Sequence, residues 1–288
     1  MREICMFEKC LNAVKIQSPL IHTITNAVTM NDVANMLLAC GARPLMSDDP
    51  VDIEEITSIT DGLVLNLGML NPRKYEGMLL AGEKARSLGH SIVLDPAGVG
   101  VSAFRLRAAK ELLRRVKPDA VRGNLSEIRM LLTNKTGRNG VDADASDVIC
   151  EQNKEKIAAF AGEAAEVLGC IVCVTGAIDF VSDGKQCFAI SNGSAEMSKV
   201  TGTGCQLSAL VGAYLAANPK EKLQAVAAAA GTMGVAGELA RERMLPHEGN
   251  ASYRNRMIDA VYHMDEKILK RHARLECMFD MDKGSKRE

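Results

Sequence analysis

Tryptophan is absent from this 288-residue chain, and aromatic residues together make up only 3%. So few flat side chains exclude the aromatic platforms on which proteins stack bases or sugar rings. An excess of one charge is also lacking. The net charge is −1, which gives no electrostatic reason to expect nucleic acid or an anionic membrane as a partner. No uncharged apolar run reaches the roughly 18 residues of a membrane span; the nearest candidate, Ala225 to Gly237, is rich in Ala and Gly and too short. The opening MREICMFEKCLNAVKIQ carries a charge every few positions and has no apolar core of a signal peptide. Disulfide spacing is missing as well: nine cysteines lie scattered without a framework, which points to reduced thiols in a cytoplasmic setting. Two nucleotide motifs are absent. There is no Gly-x-x-x-x-Gly-Lys-Ser/Thr, and Gly98-Val99-Gly100 is not completed to Gly-x-Gly-x-x-Gly. If phosphates are held, a helix N-terminus must hold them.

What is present is ample core material. Hydrophobic residues make up 47% and charged residues 25%, a balance that supports a full core and argues against disorder. Helical and strand patterns alternate. Apolar spacing predicts helices over 26–40, 51–60, 71–88, 102–116, 125–133 and 148–168, and a helical pattern from 204 to about 264. Strands are predicted at 44–46, 62–68, 91–95, 120–122 and 170–176, with a hairpin over 179–190 turning at Asp183-Gly184. Asn134 to Asp147 reads as a loop. The expected architecture is a single α/β domain over 1–288, with a mostly parallel sheet flanked by helices on both faces. Its core spans about 15–264, and 265–288 reads as a charged, partly disordered tail. Such sheets bind ligands beyond the carboxyl ends of their strands. That draws attention to Ser47-Asp48-Asp49, Asn66-Leu67-Gly68, Asp95-Pro96-Ala97-Gly98, Gly123-Asn124 and Thr175-Gly176.

Residues 200–215 read VTGTGCQLSALVGAYL, with Leu207, Leu210, Val211, Tyr214 and Leu215 on one helical face. A loop of Gly202, Thr203 and Gly204 before a helix turns backbone N–H groups toward one point, where the helix dipole adds positive charge. This makes an anion hole, or simply a tight turn into a buried helix. Cys205 in the first turn is expected to have a lowered pKa and to serve as base or nucleophile, or else to be a small packing residue. Asp95 closes an apolar strand and is placed to hold Mg²⁺ through water, though Asp-Pro also ends strands. Asn124 and Glu127 have capping-box spacing; the functional alternative gives Glu127 to a metal and Arg122 to a phosphate. Cys170 and Cys173 sit in an apolar strand and read as core, and His22 as structural. Asp48-Asp49 reads as a turn opening the 51–60 helix in preference to a metal site.

Taken together, PLIHTITNAVTMNDVANMLLACGARPLMS (19–47), LVLNLGML (63–70), VLDPAGVG (93–100), RGNLSEI (122–128), VTGA (174–177) and VTGTGC (200–205) resemble the hydroxyethylthiazole kinases within the ribokinase-like superfamily. The resemblance spans about 15–260. It implies phosphoryl transfer from ATP, with Mg²⁺, to the hydroxyl of 4-methyl-5-(2-hydroxyethyl)thiazole in thiamine salvage. It implies a homotrimer with the thiazole pocket at subunit interfaces. It assigns Met46, Gly202, Asn26 and Thr29 to the thiazole, Arg122 and Thr175 to ATP, and Asp95 and Glu127 to the metal and triphosphate. Cys205 stands where most superfamily relatives carry Asp. Two departures are visible: Asp48-Asp49 replaces a common His-Ala, and Ala97 a common Val. Related kinases acting on hydroxymethylpyrimidine or pyridoxal favour Asp at 205. A cysteine hydrolase needs a histidine base that no motif places. A non-catalytic binding oligomer is the third alternative.

Overall fold

The computed structural model describes residues 2–133 and 149–281, with side chains described from Met6 onward. The predicted loop at 134–147 lies outside the described residues. The elements in order are α1 (Arg2–Gln17), β1 (Leu20–Ile24), α2 (Met30–Cys40), β2 (Arg43–Leu45), α3 (Ile53–Ser58), β3 (Gly62–Asn66), α4 (Pro72–Leu88), β4 (Ser91–Asp95), α5 (Ala103–Arg115), β5 (Ala120–Asn124), α6 (Leu125–Leu132), α7 (Lys154–Leu168), β6 (Ile171–Thr175), β7 (Asp179–Ser182), β8 (Gln186–Ile190), α8 (Thr203–Ala217), α9 (Lys222–Glu242), α10 (Asn250–Tyr262), α11 (Glu266–His272) and β9 (Leu275–Asp280).

One nine-stranded sheet has the order β2-β1-β3-β4-β5-β6-β7-β8-β9. The pairs from β2 through β6 are parallel, and those from β6 through β9 antiparallel. Fully buried strands read as continuous apolar runs because both faces are covered. Along β3, Val64 enters one core cluster with α1, α2, α8 and α9, whereas Leu63 and Leu65 enter the other with α4, α5 and α7. Successive side chains point to opposite faces of a strand, so one strand serves two cores. Local chemistry sets the helix ends as the sequence indicates. Asn71 accepts from the Lys74 N–H at 2.9 Å with Pro72 in the first turn, and Gly41 closes α2 at φ +94°.

Four elements are not marked by the sequence pattern. The pattern does not mark β1, since LIHTI mixes polar and apolar residues, yet Ile21 to Ile24 are all buried between β2 and β3. Charged positions in the opening segment also hide α1, whose Phe7, Leu11 and Val14 are buried. The supposed tail supplies α11 and the edge strand β9, which pairs with β8; of that segment, 282–288 lie outside the described residues. Its charges face solvent while the β8 edge satisfies its backbone, so composition alone misreads it. Finally, α9 has the length and composition of a membrane span, but 89% of its apolar window is buried inside the fold. It is a core helix.

Candidate active site

The strand order reverses direction between β1 and β3, because β1 leads outward to β2 and the chain returns to β3. Ligand crevices of open α/β sheets form at such switch points, beyond the strand carboxyl ends. Here β1, β3, β4 and β5 end in Ile24, Asn66, Asp95 and Asn124, and α8 packs on the sheet against β1, β3 and β4. Gly212 permits that packing: a Cβ there would sit 2.5 Å from Val64 Cγ2.

The N-terminus of α8 points into the crevice. Gly202 adopts φ +84° as its N-cap and offers no side chain to the first turn. A Cβ on Gly202 would come within 2.4 Å of Thr29 Cγ2, and one on Gly204 within 2.3 Å of Arg122 Nη1. Both glycines are needed for close approach. The uncapped first-turn N–H groups of α8 and the Arg122 guanidinium therefore meet at one point, which suits an anion.

Arg122 is held by its own contacts. Nη2 donates to Thr175 Oγ1 at 2.7 Å, and Nη1 lies 3.8 Å from Asp95 Oδ2. Nε is buried without a partner, a donor suited to a ligand oxygen. Burial acts to lower the pKa of Arg122, but the charges of Asp95 and Glu127 outweigh it and raise it. Asp95 Oδ2 accepts from Asn66 Nδ2 at 2.7 Å and from Ser208 Oγ at 2.8 Å. The parallel register places Asn66 directly opposite Asp95. All these contacts converge on Oδ2, and none uses Oδ1.

Glu127 forms the capping box: Oε2 accepts from the Asn124 N–H and Oε1 from the Gly98 N–H, both at 2.9 Å. Burial raises its pKa, the nearby Asp95 charge adds to that, and the two N–H donors oppose it. The residue thus ties the loop after β4 to α6 while lying beside Arg122.

Cys205 is half-buried in the first turn of α8. Asn26 Nδ2 and Asn66 Nδ2 both approach its sulfur, at 3.4 and 3.3 Å. The lowered pKa expected from sequence is not found. Burial raises it most and the Asp95 carboxylate adds to the effect, against smaller opposing contributions from Thr29, Asn26 and Arg122. The helix dipole is outweighed by desolvation and a neighbouring negative charge.

The predicted residues fall into connected groups. Asn26, Thr29, Gly202 and Cys205 come together; Asp95, Arg122, Thr175 and Gly204 adjoin them. Met46 follows β2 at the crevice rim, half-buried against the core. A cleft of about 610 Å³ opens beside Arg122, Thr175, Thr203 and Gly204, and its far wall includes Asp179, Asn192, Ser194 and Gly234. That wall carries no signal in the sequence, because no local motif links residues that far apart. Ser208 was also missed; its signal is a hydroxyl one helical turn after Cys205 in an otherwise apolar helix. His22 is structural as expected: Nε2 donates to the Ser47 carbonyl at 3.0 Å and Nδ1 lies 3.1 Å from Thr57 Oγ1. Cys173 is fully buried and Cys170 half-buried, as core residues.

The mostly parallel sheet flanked by helices is a ribokinase-like fold. A solved pyridoxal kinase from Bacillus subtilis shares this fold, with a TM-score of 0.55 at 16% identity, covering 80% of this chain and 94% of that one. The Hydroxyethylthiazole kinase family model matches residues 11–267. A hydroxyethylthiazole kinase of Clostridium acetobutylicum is 45% identical over 271 residues, 94% of this chain and 99% of its own length. The solved hydroxyethylthiazole kinase structure from Pyrococcus horikoshii has a TM-score of 0.83 at 36% identity, covering 94% of this chain and 98% of that one. The chain belongs to the hydroxyethylthiazole kinase family.

Proposed function

We propose that the protein transfers the γ-phosphate of ATP to the primary hydroxyl of 4-methyl-5-(2-hydroxyethyl)thiazole, a step of thiamine salvage. The observation that carries the phosphoryl-transfer reading is the meeting of Arg122, with its unpartnered Nε, and the uncapped N-terminus of α8. The nucleotide occupies the cleft bounded by Arg122 and Thr175, and its terminal phosphate rests on the amides of Gly202, Thr203, Gly204 and Cys205. The thiazole lies against Met46, Asn26, Thr29 and Gly202, with its hydroxyl near Cys205.

Phosphoryl transfer has a loose transition state, so positioning and electrostatics supply most of the acceleration. Arg122 and the α8 amides stabilise charge on the equatorial oxygens. The raised pKa keeps Cys205 a thiol near neutrality, which suits a group that orients the hydroxyl and is not a strong base. The donor set at Asp95 fits Mg²⁺: Oδ1 is left by a network that saturates Oδ2, and Mg²⁺ commonly takes one or two carboxylates plus waters and phosphates. Asp95 and the adjoining Glu127 would hold it, where it would neutralise phosphate charge.

A homotrimer with shared active sites is part of this reading. Exposed Val28 and Met69 lie in the loops after β1 and β3, and exposed Met30 opens α2; another subunit covering them would close the acceptor pocket. The eight described cysteines are all free, which supports a cytoplasmic location.

Coupled ADP release with ATP and Mg²⁺ tests the proposal, with the thiazole alcohol compared against hydroxymethylpyrimidine and pyridoxal. Turnover with the thiazole alone is expected. Turnover with another alcohol keeps the kinase and discards the thiazole assignment; none with any acceptor removes both.

A further inference from the structure

Lys74 is 6% exposed and sits in the first turn of α4. Both features run against ordinary preference. A buried cation loses its hydration, and the N-terminus of a helix carries partial positive charge that disfavours it. No acidic residue of α4 offsets this in its first turn. The offset comes from two other loops. Lys74 Nζ donates to the Thr25 carbonyl at 2.5 Å and lies 3.5 Å from Asp48 Oδ2.

Those two loops carry the walls of the acceptor pocket. Thr25 directly precedes Asn26, whose amide reaches Cys205. Asp48 stands two residues after Met46. The loop after β2 is pressed onto α4 as well, since a Cβ on Gly77 would sit 2.7 Å from the Asp48 carbonyl oxygen. Arg73 adds an exposed pair to Asp49 at 2.6 Å. The Asp48-Asp49 pair is thus met by the adjacent cations Arg73-Lys74.

We propose that Lys74 is a positioning residue for the acceptor alcohol, clamping the loop that bears Asn26 and Thr29 to the loop that bears Met46. The proposal rests on the thiazole kinase reading above. Local sequence rules fail most often where function demands the exception, and a buried lysine joining two pocket loops is such a place. The clamp sets the separation of the pocket walls and does not touch the nucleotide cleft.

The test compares steady-state constants of wild type, Lys74→Met, Asp48→Asn and Asp49→Asn, with thermal melting in parallel. Lys74→Met keeps the stem and removes the donors. The expected result is a rise of about tenfold in KM for the thiazole alcohol, with KM for ATP held within about twofold. Asp48→Asn changes an acid that is half exposed, so it retains the fold; a smaller rise in the same KM is expected. Asp49→Asn, which cuts only the exposed pair, leaves both KM values unchanged. A purely structural lysine would lower the melting temperature and the active fraction, and so kcat, without moving acceptor KM; that result overturns the proposal. Should Lys74→Met not fold, an unchanged acceptor KM in Asp48→Asn overturns it equally. Wild-type turnover with silent variants defeats the clamp alone, whereas a wild type inactive on the thiazole defeats the kinase reading and the clamp with it.

Discussion

Replacing Gly204 with alanine should separate stability from activity. Gly204 is the second residue of α8. Inside a helix alanine is favoured over glycine by about 0.8–1.0 kcal/mol, so secondary structure alone predicts a more stable protein. The new Cβ, however, would stand 2.3 Å from Arg122 Nη1 and 2.9 Å from its Cζ. The guanidinium must retreat by about 1 Å, and a displacement of that size at a reacting centre can cost about 10²-fold. Arg122 has little freedom to retreat and stay aligned, since Thr175 holds Nη2 at 2.7 Å and Asp95 faces Nη1. Loss of one preorganised charge-stabilising donor costs about 2.7–4 kcal/mol, or roughly 10²–10³ in kcat. The expected outcome is a kcat lower by about 10²-fold, with a melting temperature near that of wild type. Coupled ADP release with saturating thiazole alcohol and ATP measures the first, and calorimetry the second. A kcat within about threefold of wild type, in a protein that melts no lower, would refute the role given to Arg122 at the α8 N-terminus.

Removing the hydroxyl that orients Asp95, by Ser208→Ala, should lower kcat about tenfold, because a hydrogen bond to a charged group contributes about 1.5–3 kcal/mol; an unchanged kcat would mean that Asn66 suffices. Cys205 should alkylate with iodoacetamide more slowly at pH 8 than a free thiol, as its pKa is raised; peptide-resolved mass spectrometry reads the rate, and a faster reaction would reverse the assignment of thiol over thiolate. Cys205→Ala is expected to reduce turnover without abolishing it, and an unchanged rate takes the sulfur out of the proton path. Asp179 has its pKa pushed up to about 6, mainly by burial. The folded state therefore holds this proton more tightly than the unfolded chain, and its contribution to stability is lost as pH rises from about 4 through about 6. Asp179→Asn should flatten that part of the melting-temperature profile, and a profile identical to wild type would contradict the raised pKa of this half-buried carboxyl.

Much of this protein is legible in its sequence because the signals are local. Alternating helix and strand periods announce the α/β sheet. Asn71-Pro72 and Gly41 mark helix ends through the chemistry of their own backbone. Gly202-Thr203-Gly204-Cys205 before an apolar helix announces an anion hole, and strand-terminal Asn66 and Asp95 fall on the crevice because side chains at parallel strand ends share an edge. Tertiary structure decided the rest, wherever the deciding partner is far along the chain. LIHTI becomes a central strand only because Thr57 and Ser47 meet the ring of His22 in the interior. The charged C-terminal segment becomes strand β9 only because β8 presents an open edge. Cys205 loses the low pKa its helix position suggests because burial and the carboxylate of Asp95 meet it there. Lys74, unremarked in a sequence full of surface lysines, is buried because Thr25 and Asp48 converge on it. Periodicity and capping act over a few residues and can be read from sequence; desolvation and long-range pairing are properties of the assembled interior.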